Sequence, residues 1–375
     1  MKHITSKLLS LLLCLAMLMS MVPAAYADVE TEGASGKNTP TETNGGASEQ
    51  DDAYDDAPDT AVVQSTAAAT TDAAKVGETG YTTLDDAIKA AKDGDTVTLL
   101  ADRTEDVTIT KSITLDLGGK TLTNTNAGKA TLTVAAGATA TVMNGNIFGG
   151  TSFYTIQNNG TATFEDVTAT AGNTDSSMID SYGDLTINSG SYTGGLDTIK
   201  NESNAKLTIT GGTFTLEKGT SKGFTGVVFN YGELNISDGK FIQSDKNAPY
   251  GQAQVIHTDK SGSSTPSTTI TGGSFTNKST RSTAWTVRQT NAAAGCTEVK
   301  GGTFNKEVSD DYCADGFIPT KNADGTYGVK EGKYVAAVGS KKYETLADAI
   351  RLATKGKTVT LLADVTENVI IKAVK

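Results

Sequence analysis

The 375-residue sequence predicts an all-β chain wound into a parallel β-helix, and three observations carry that expectation. One phrase recurs seven times: an apolar residue, a Gly three positions on, and an apolar or aromatic residue two beyond that. Its copies are Val142/Gly145/Ile147, Phe164/Val167/Ala169, Ile187/Gly190/Tyr192, Ile209/Gly212/Phe214, Ile236/Gly239/Phe241, Ile270/Gly273/Phe275 and Val299/Gly302/Phe304, the second lacking the Gly. Before each copy the apolar residues alternate, as in Ile179, Ser181, Gly183, Leu185, Ile187, the rhythm of a strand buried on one face. The copies stand 22, 23, 22, 27, 34 and 29 residues apart, too close for a strand, a crossover helix and a second strand, so successive repeats must stack directly. With coils about 4.8 Å apart, roughly ten between Thr96 and Val329 would form a rod about 45 Å long.

In chain order, residues 1–27 read as a signal peptide: Lys2 and Lys7, an apolar stretch from Leu8 to Val22, and the small-x-small site Ala25-Tyr26-Ala27. Cys14 follows Leu13 rather than a small residue, which argues against a lipoprotein anchor. Residues 28–75 are rich in Thr, Ala, Gly, Ser and acids and poor in apolar side chains. They predict a disordered linker, with Asp51, Asp52, Asp55, Asp56 and Asp59 as solvation rather than a calcium site.

Residues 76–330 form the predicted β-helix module, opened by a short amphipathic helix. Thr83 and Asp86 are spaced as a helix-opening cap, Leu84, Ala87, Ile88 and Ala91 share one face, and Gly94 follows. A helix across the open end of a solenoid covers strand edges and core that would otherwise invite aggregation. Within the coils, Asn158, Ser181, Asn201 and Asn230 recur at one position and predict a stacked polar ladder. Gly160, Gly183 and Gly232 predict bends with no room for a side chain. The segment from Tyr81 returns from Tyr343 at a constant offset of 262 residues, so 331–375 reads as the start of a second, truncated copy.

TLDDAIKAAKDGDTVTLLAD, ITLDLGGKTL at Ile113 to Leu122, the GGTF or GGSF at Gly211, Gly272 and Gly301, and YCADGFIPTKNADGTYGV from Tyr312 together resemble exported pectin-lyase-fold repeat proteins of Gram-positive anaerobes. The resemblance covers most of the chain after Lys75. It implies a right-handed parallel β-helix in a bacterial surface protein, anchored through a module outside this chain, and no particular activity.

The formal charge of −11, with no basic cluster, argues against nucleic acid or an anionic membrane as partner. No apolar run after the signal is long enough to span a bilayer, so no membrane insertion of the mature chain is expected. His257 is the only histidine after residue 27, which leaves no His-rich or Cys/His metal site, and no nucleophile-elbow pattern accompanies it. Cys296 and Cys313 read as buried thiols rather than a disulfide, although an exported location permits a bridge.

Two outward columns stand out. Asp184, Lys206 and Glu233 alternate in sign, as cross-strand charge pairs do. Gln157, Asp180, Lys200, Phe229, His257 and Arg288 form a varied strip, which the sequence places in solvent. With Tyr154 and Trp285 beside it, the strip mixes rings, donors and charge as sugar-binding surfaces do. The candidate ligand face is therefore Tyr154, Phe229, His257, Trp285 and Arg288, with Trp285 a glycan platform or, alternatively, a ring packed under the loop from Thr290 to Gly295. Longer spacings around Lys246 to Pro266 and Lys278 to Gly295 predict loops thrown out nearby.

No catalytic residue, cofactor or metal is expected. The predicted function is a secreted or cell-surface structural, adhesin-like module that contacts an extracellular glycan or a host or cell-surface protein. The alternative is a polysaccharide lyase or glycoside hydrolase of the same fold, which would need several converging carboxylates.

Overall fold

The structure, a computed structural model, describes residues 71–218, 225–248 and 253–371. The predicted signal peptide and residues 28–70 of the predicted linker lie outside the described residues. From Thr96 the chain winds as a parallel β-solenoid with three strand-bearing faces per coil. The first face carries strands such as Asp184–Ile187 and Lys206–Ile209, the second Gly190–Thr193 and Thr213–Leu216, and the third Ile179–Ser181 and Ile199–Asn201.

The third face is an eight-stranded sheet running from Val107–Ile109 to Val287–Thr290, so the solenoid has eight coils, spanning about 34 Å at ordinary strand spacing. Ten coils were expected. The difference lies at the C-terminal end: Phe317–Lys321 and Tyr327–Glu331 pair antiparallel as a hairpin instead of winding on, and Tyr327 pairs with Phe304 of the last coil. This hairpin lies against the core through Tyr327 and Val329.

The recurring phrase makes the corner between the first and second faces. Ile187, Ile209, Ile236, Ile270 and Val299 stack in register on the first face, and Tyr192, Phe214, Phe241, Phe275 and Phe304 on the second. Gly190, Gly212, Gly239, Gly273 and Gly302 turn the corner at φ from 96° to 122°, backbone that favours glycine. The degenerate second copy turns differently: Asp166 takes the left-handed conformation at φ 50°, as Asn144 does at φ 58° one coil earlier. Beyond the corner the five rings stack face to face at 4.8–5.1 Å and within 11° of parallel. Each such pair adds about 0.5–1.5 kcal/mol to the burial of the rings. The one polar atom of the stack, Tyr192 Oη, donates to the Ser189 carbonyl at 3.0 Å.

The polar ladder forms at the opposite corner. Asn158 Nδ2 donates to Ser181 Oγ at 3.1 Å, Asn201 Nδ2 to Asn230 Oδ1 at 2.8 Å, and Asn230 Nδ2 to Thr268 Oγ1 at 3.0 Å, all wholly buried. The glycines after it are required by crowding: a Cβ on Gly183 would stand 1.9 Å from the Gly160 carbonyl oxygen, and one on Gly232 2.2 Å from that of Ala205. The Asp184, Lys206, Glu233 column is in register, with Lys206 Nζ 3.1 Å from Glu233. Cys296 and Cys313 are free thiols.

Helix α1 (Leu84–Ala90) buries Leu84, Ala87 and Ile88 against the first coils, and Thr83 Oγ1 accepts from Asp86 N at 3.0 Å. Glu105, from the first coil, accepts the backbone N–H groups of Leu84 and Asp85, which closes the helix start onto the solenoid. The fold also takes in Ala73 to Lys75, residues assigned to the linker from sequence: Ala74–Val76 pairs with Thr79–Tyr81 and Thr96–Leu99, and Ala73 and Ala74 are buried. The second copy repeats the strand, the helix and the carboxylate contact 262 positions on, with Ala336–Val338 as its first strand, helix α2 (Leu346–Leu352), which buries only Ala349, and Glu367 accepting from Leu346 N and Ala347 N. Among the described residues no helix is long and apolar enough to cross a membrane.

Candidate binding face

The outward column of the third face has the register predicted for it. Thr108, Thr133, Gln157, Asp180, Lys200, Phe229, His257 and Arg288 follow one another coil by coil. Its exposure differs from the expectation. Asp180 and His257 are wholly buried and Phe229 nearly so. Outward side chains at strand spacing cover one another, and a second outward column, Tyr182, Glu202 and Tyr231, follows the polar ladder directly. Loops between the second and third faces also fold over the strip, tied coil to coil: Asn173 Nδ2 donates to the carbonyls of Gly150 at 2.9 Å and Phe153 at 2.7 Å.

The predicted thrown-out loops are partly strand. Strand Ala253–Asp259, almost wholly buried, falls within the first of them and strand Val287–Thr290 within the second.

Among the described residues, three recesses lie along this face. The first, about 250 Å³, lies over Thr133 and Gln157, with Asp106, Lys129 and Phe153 at its sides. The second, about 230 Å³, lies over Lys200 and Phe229, between Tyr154, Tyr231, Ser177 and Asp197. The third, about 300 Å³, is formed by Trp285, Arg288, Gln289, Ser309 and Tyr312. Each has at least one aromatic wall.

The middle recess holds the most charge. Lys200 pairs with Glu202 and stands 5.8 Å over the Tyr231 ring. Burial disfavours the Lys200 charge, yet Glu202 and Asp180 outweigh it and its pKa lies above the ordinary lysine value. Asp197 Oδ1 accepts from Gly226 N at 2.8 Å and Oδ2 from Ser177 Oγ at 3.2 Å, its neighbours in the column two residues before the buried Ile or Val. Burial pushes its carboxyl up to about 7 against these two hydrogen bonds and Lys200. Asp180 lies beneath Tyr154 and Lys200; burial raises it to about 6, Lys200 draws it back, and Glu202 pushes it further up. The Tyr154 hydroxyl, hydrogen-bonded to the same carboxyl, also holds its pKa down.

Of the five predicted ligand-face residues, Tyr154 and Phe229 meet in the middle recess and Trp285 and Arg288 in the third. His257 does not belong to the face. Its ring packs at 60° on Phe229 with centroids 4.5 Å apart, its Nε2 lies 2.8 Å from Thr290 Oγ1, and burial lowers its pKa to about 4, so it sits as a neutral core group. Trp285 is 43% exposed, and its backbone is fixed by Gln254 Oε1, which accepts Trp285 N at 2.7 Å, and by Asn277 Nδ2, which donates to the Trp285 carbonyl at 2.9 Å. Sequence reasoning missed Asp197, Tyr231 and Tyr312. The first two share columns with Tyr154 and Tyr182, and the same register arithmetic finds them.

A larger hollow, about 580 Å³, lies at the second cap copy between Leu346, Ile350, Val359, Leu361 and Ile371. These match Leu84, Ile88, Val97, Leu99 and Ile109, which are buried in the first copy. It is a core-facing surface rather than a polar site. Among the described residues no three Asp, Glu, His or Cys side chains are grouped as a metal site would require. Profiles of known protein families, curated protein sequences and solved structures give no match to this chain.

Proposed function

We propose that this chain is an exported, non-catalytic β-solenoid module whose third face binds an extended glycan at or beyond a bacterial cell surface. The observation that carries it is the series of three recesses along one face, each with an aromatic wall and polar groups, the composition that carbohydrate contact calls for. The apolar segment Leu8 to Val22 and the small-x-small site after it support export. The likeness of the cap and GGTF segments to exported pectin-lyase-fold repeat proteins supports display on a cell surface.

A cleaving enzyme is the second reading, and the neighbouring carboxyls of Asp180 and Glu202 are what favour it. Against it, Asp180 is wholly covered by Tyr154, Lys200 and their neighbours, so the group with the raised pKa does not reach a substrate bond. The test is a glycan array probed with the full chain and with Trp285→Ala. Binding that drops at least tenfold in the variant supports the reading; binding that is equal in both removes the third recess from the face. Incubating bound glycans with the protein then separates binding from cleavage, since new reducing ends or unsaturated ends would establish the enzyme.

A further inference from the structure

The two cap copies share a sequence pattern and differ in what lies against them. In the first, Thr96–Leu99 pairs antiparallel with Ala74–Val76 on one edge and parallel with Ile113–Asp116 on the other, with Val97 opposite Leu115. Leu99 and Ile109 are buried there, in one core with Leu115, Leu117 and Leu122 of the coil that follows. In the second, Val359–Leu361 pairs with Ala336–Val338 and is, among the described residues, the edge strand of a three-stranded sheet. Leu361 is 56% exposed and Ile371 79%, where their counterparts Leu99 and Ile109 are 1% and 0%.

A free strand edge beside an apolar hollow is a template for a further strand, which gives main-chain hydrogen bonds to the edge and alternate side chains to the hollow. The first copy shows which strand fits. Its coil runs parallel to the edge, buries Ile113 and Leu115, and begins with Thr114 N donating to the Asp95 carbonyl at 2.9 Å.

The rims of the two surfaces differ in charge. Asp93 and Asp95 of the first copy stand where the second has Lys355 and Lys357, both of which line the hollow. At the first rim the coil brings a cation: Lys111 Nζ donates to the Lys89 and Ala91 carbonyls at 2.5 and 2.6 Å, while Asp93 Oδ1 accepts from Ser112 N at 2.8 Å. At the second rim a lysine in that place would meet two ammonium groups, and an acid would be attracted.

We propose that the second cap is a docking site for the opening coil of a β-solenoid module that lacks a cap of its own, added as a parallel strand on Val359–Leu361 and carrying an acidic residue where this chain has Lys111. The first copy supplies the geometry of the seat, and the two lysines supply its selectivity. A second copy of this chain is disfavoured twice. Its first coil is already covered by its own cap, held at high local concentration by the intervening chain, and it brings Lys111 to the rim. The third face takes no part, so the inference stands apart from glycan binding.

The test is amide hydrogen exchange at Thr358 to Leu362 of the full chain, alone and with three peptide probes: a copy of Lys111 to Val134, the same copy with Lys111→Glu, and a scrambled version. The Lys111→Glu coil is also carried on a Gly/Ser linker after Lys375, so that a peptide too weak to bind when free is still presented to the seat. The expected result is exchange slowed at least tenfold by the Lys111→Glu coil, which acts at a concentration about threefold lower than the native copy needs. Leu361→Asp, a substitution at an exposed position whose fold is checked by thermal melting, should abolish the protection. Exchange unchanged by both the free and the tethered coil overturns the docking site. So does protection by the scrambled peptide, or protection that survives Leu361→Asp, since neither uses the seat. Equal potency of the native and Lys111→Glu peptides overturns the acidic requirement. If the full chain alone sediments as an oligomer with Thr358 to Leu362 already protected, the occupant is a second copy and the partner module is overturned.

Discussion

On the second face of the solenoid the inward residues become nearly uniform from coil to coil: Tyr192, Phe214, Phe241, Phe275, Phe304. On the third face the outward residues change at almost every coil: Gln157, Asp180, Lys200, Phe229, His257, Arg288. Both columns have the same strand spacing and the same register, so geometry does not separate them. What separates them is what the next coil demands. A buried ring is held by identical rings above and below, and any smaller residue leaves a void. An outward residue answers to solvent, to covering loops or to a ligand, and is free to differ.

The largest effect should come from breaking the uniform column. Phe241→Ala removes the central ring of the stack, wholly buried between Phe214 and Phe275, and should cost about 3–5 kcal/mol, read as a fall in the denaturant midpoint. Remaining folded protein should bind the same glycan with unchanged affinity, because the stack faces away from the recesses. A drop in affinity as large as that of a third-face variant would erase the distinction between the two columns.

Next in size is the polar ladder, which joins the two kinds of surface. Asn201→Ala takes away the donor to Asn230 Oδ1 and to the Glu233 carbonyl, both at 3.0 Å or less. Asn230 Oδ1 then keeps only its bond from Gly232 N, and the loss of the two Asn201 bonds should cost about 1–3 kcal/mol in the same unfolding measurement. A neutral outcome would mean that the ladder is replaceable by packing alone.

How much of this was legible in the sequence follows the same division. The repeating positions gave the solenoid, the corner glycines, the Asn ladder and the order of both columns, because period and alternation record what every coil shares. The aromatic stack was equally visible in Tyr192 to Phe304, but strand spacing turns a recurring aromatic into a ring stack only once the register is known. The eighth coil as the last one was not legible, since Phe317 to Glu331 alternates like any strand pair and only its antiparallel pairing makes it a hairpin. Burial of Asp180 and His257 was hidden for another reason. Alternation places them outward, and what covers them comes from loops and from a neighbouring column whose placement no local pattern records. Trp285 was found because it stands two positions before Val287, as Tyr154 stands before Ile156, and is an aromatic; Asp197, two positions before Ile199, was passed over because a single Asp in a loop looks ordinary.

A third, smaller effect is one of pH. The folded state holds the Asp197 proton up to about 7, while an unfolded Asp releases it near 4, so between those values the folded state binds more protons and stability falls as pH rises. Asp180, raised to about 6, contributes in the same direction over a narrower window. Stability measured from pH 4 to pH 8 should therefore decline, and Asp197→Asn should flatten the decline. A slope that the substitution leaves unchanged would show that Asp197 is not the titrating group.

The smallest effect on the fold should come from Trp285→Ala, and it divides the two columns most cleanly. Trp285 is 43% exposed, and what fixes its position is backbone: Gln254 and Asn277 bond its N–H and carbonyl, and both bonds survive truncation of the side chain. The melting point should consequently move by no more than a change of about 0.5 kcal/mol produces. Arg288, Ser309 and Tyr312 would still surround the position, but without the flat ring the recess loses its sugar-facing wall. Isothermal titration with a glycan that binds the wild type should then show affinity down at least tenfold on a fold that is intact. That is the reverse of Phe241→Ala, where stability collapses and affinity holds. If Trp285→Ala instead destabilises the chain by several kcal/mol, the ring is part of the core, and the third recess has no separable sugar-facing wall.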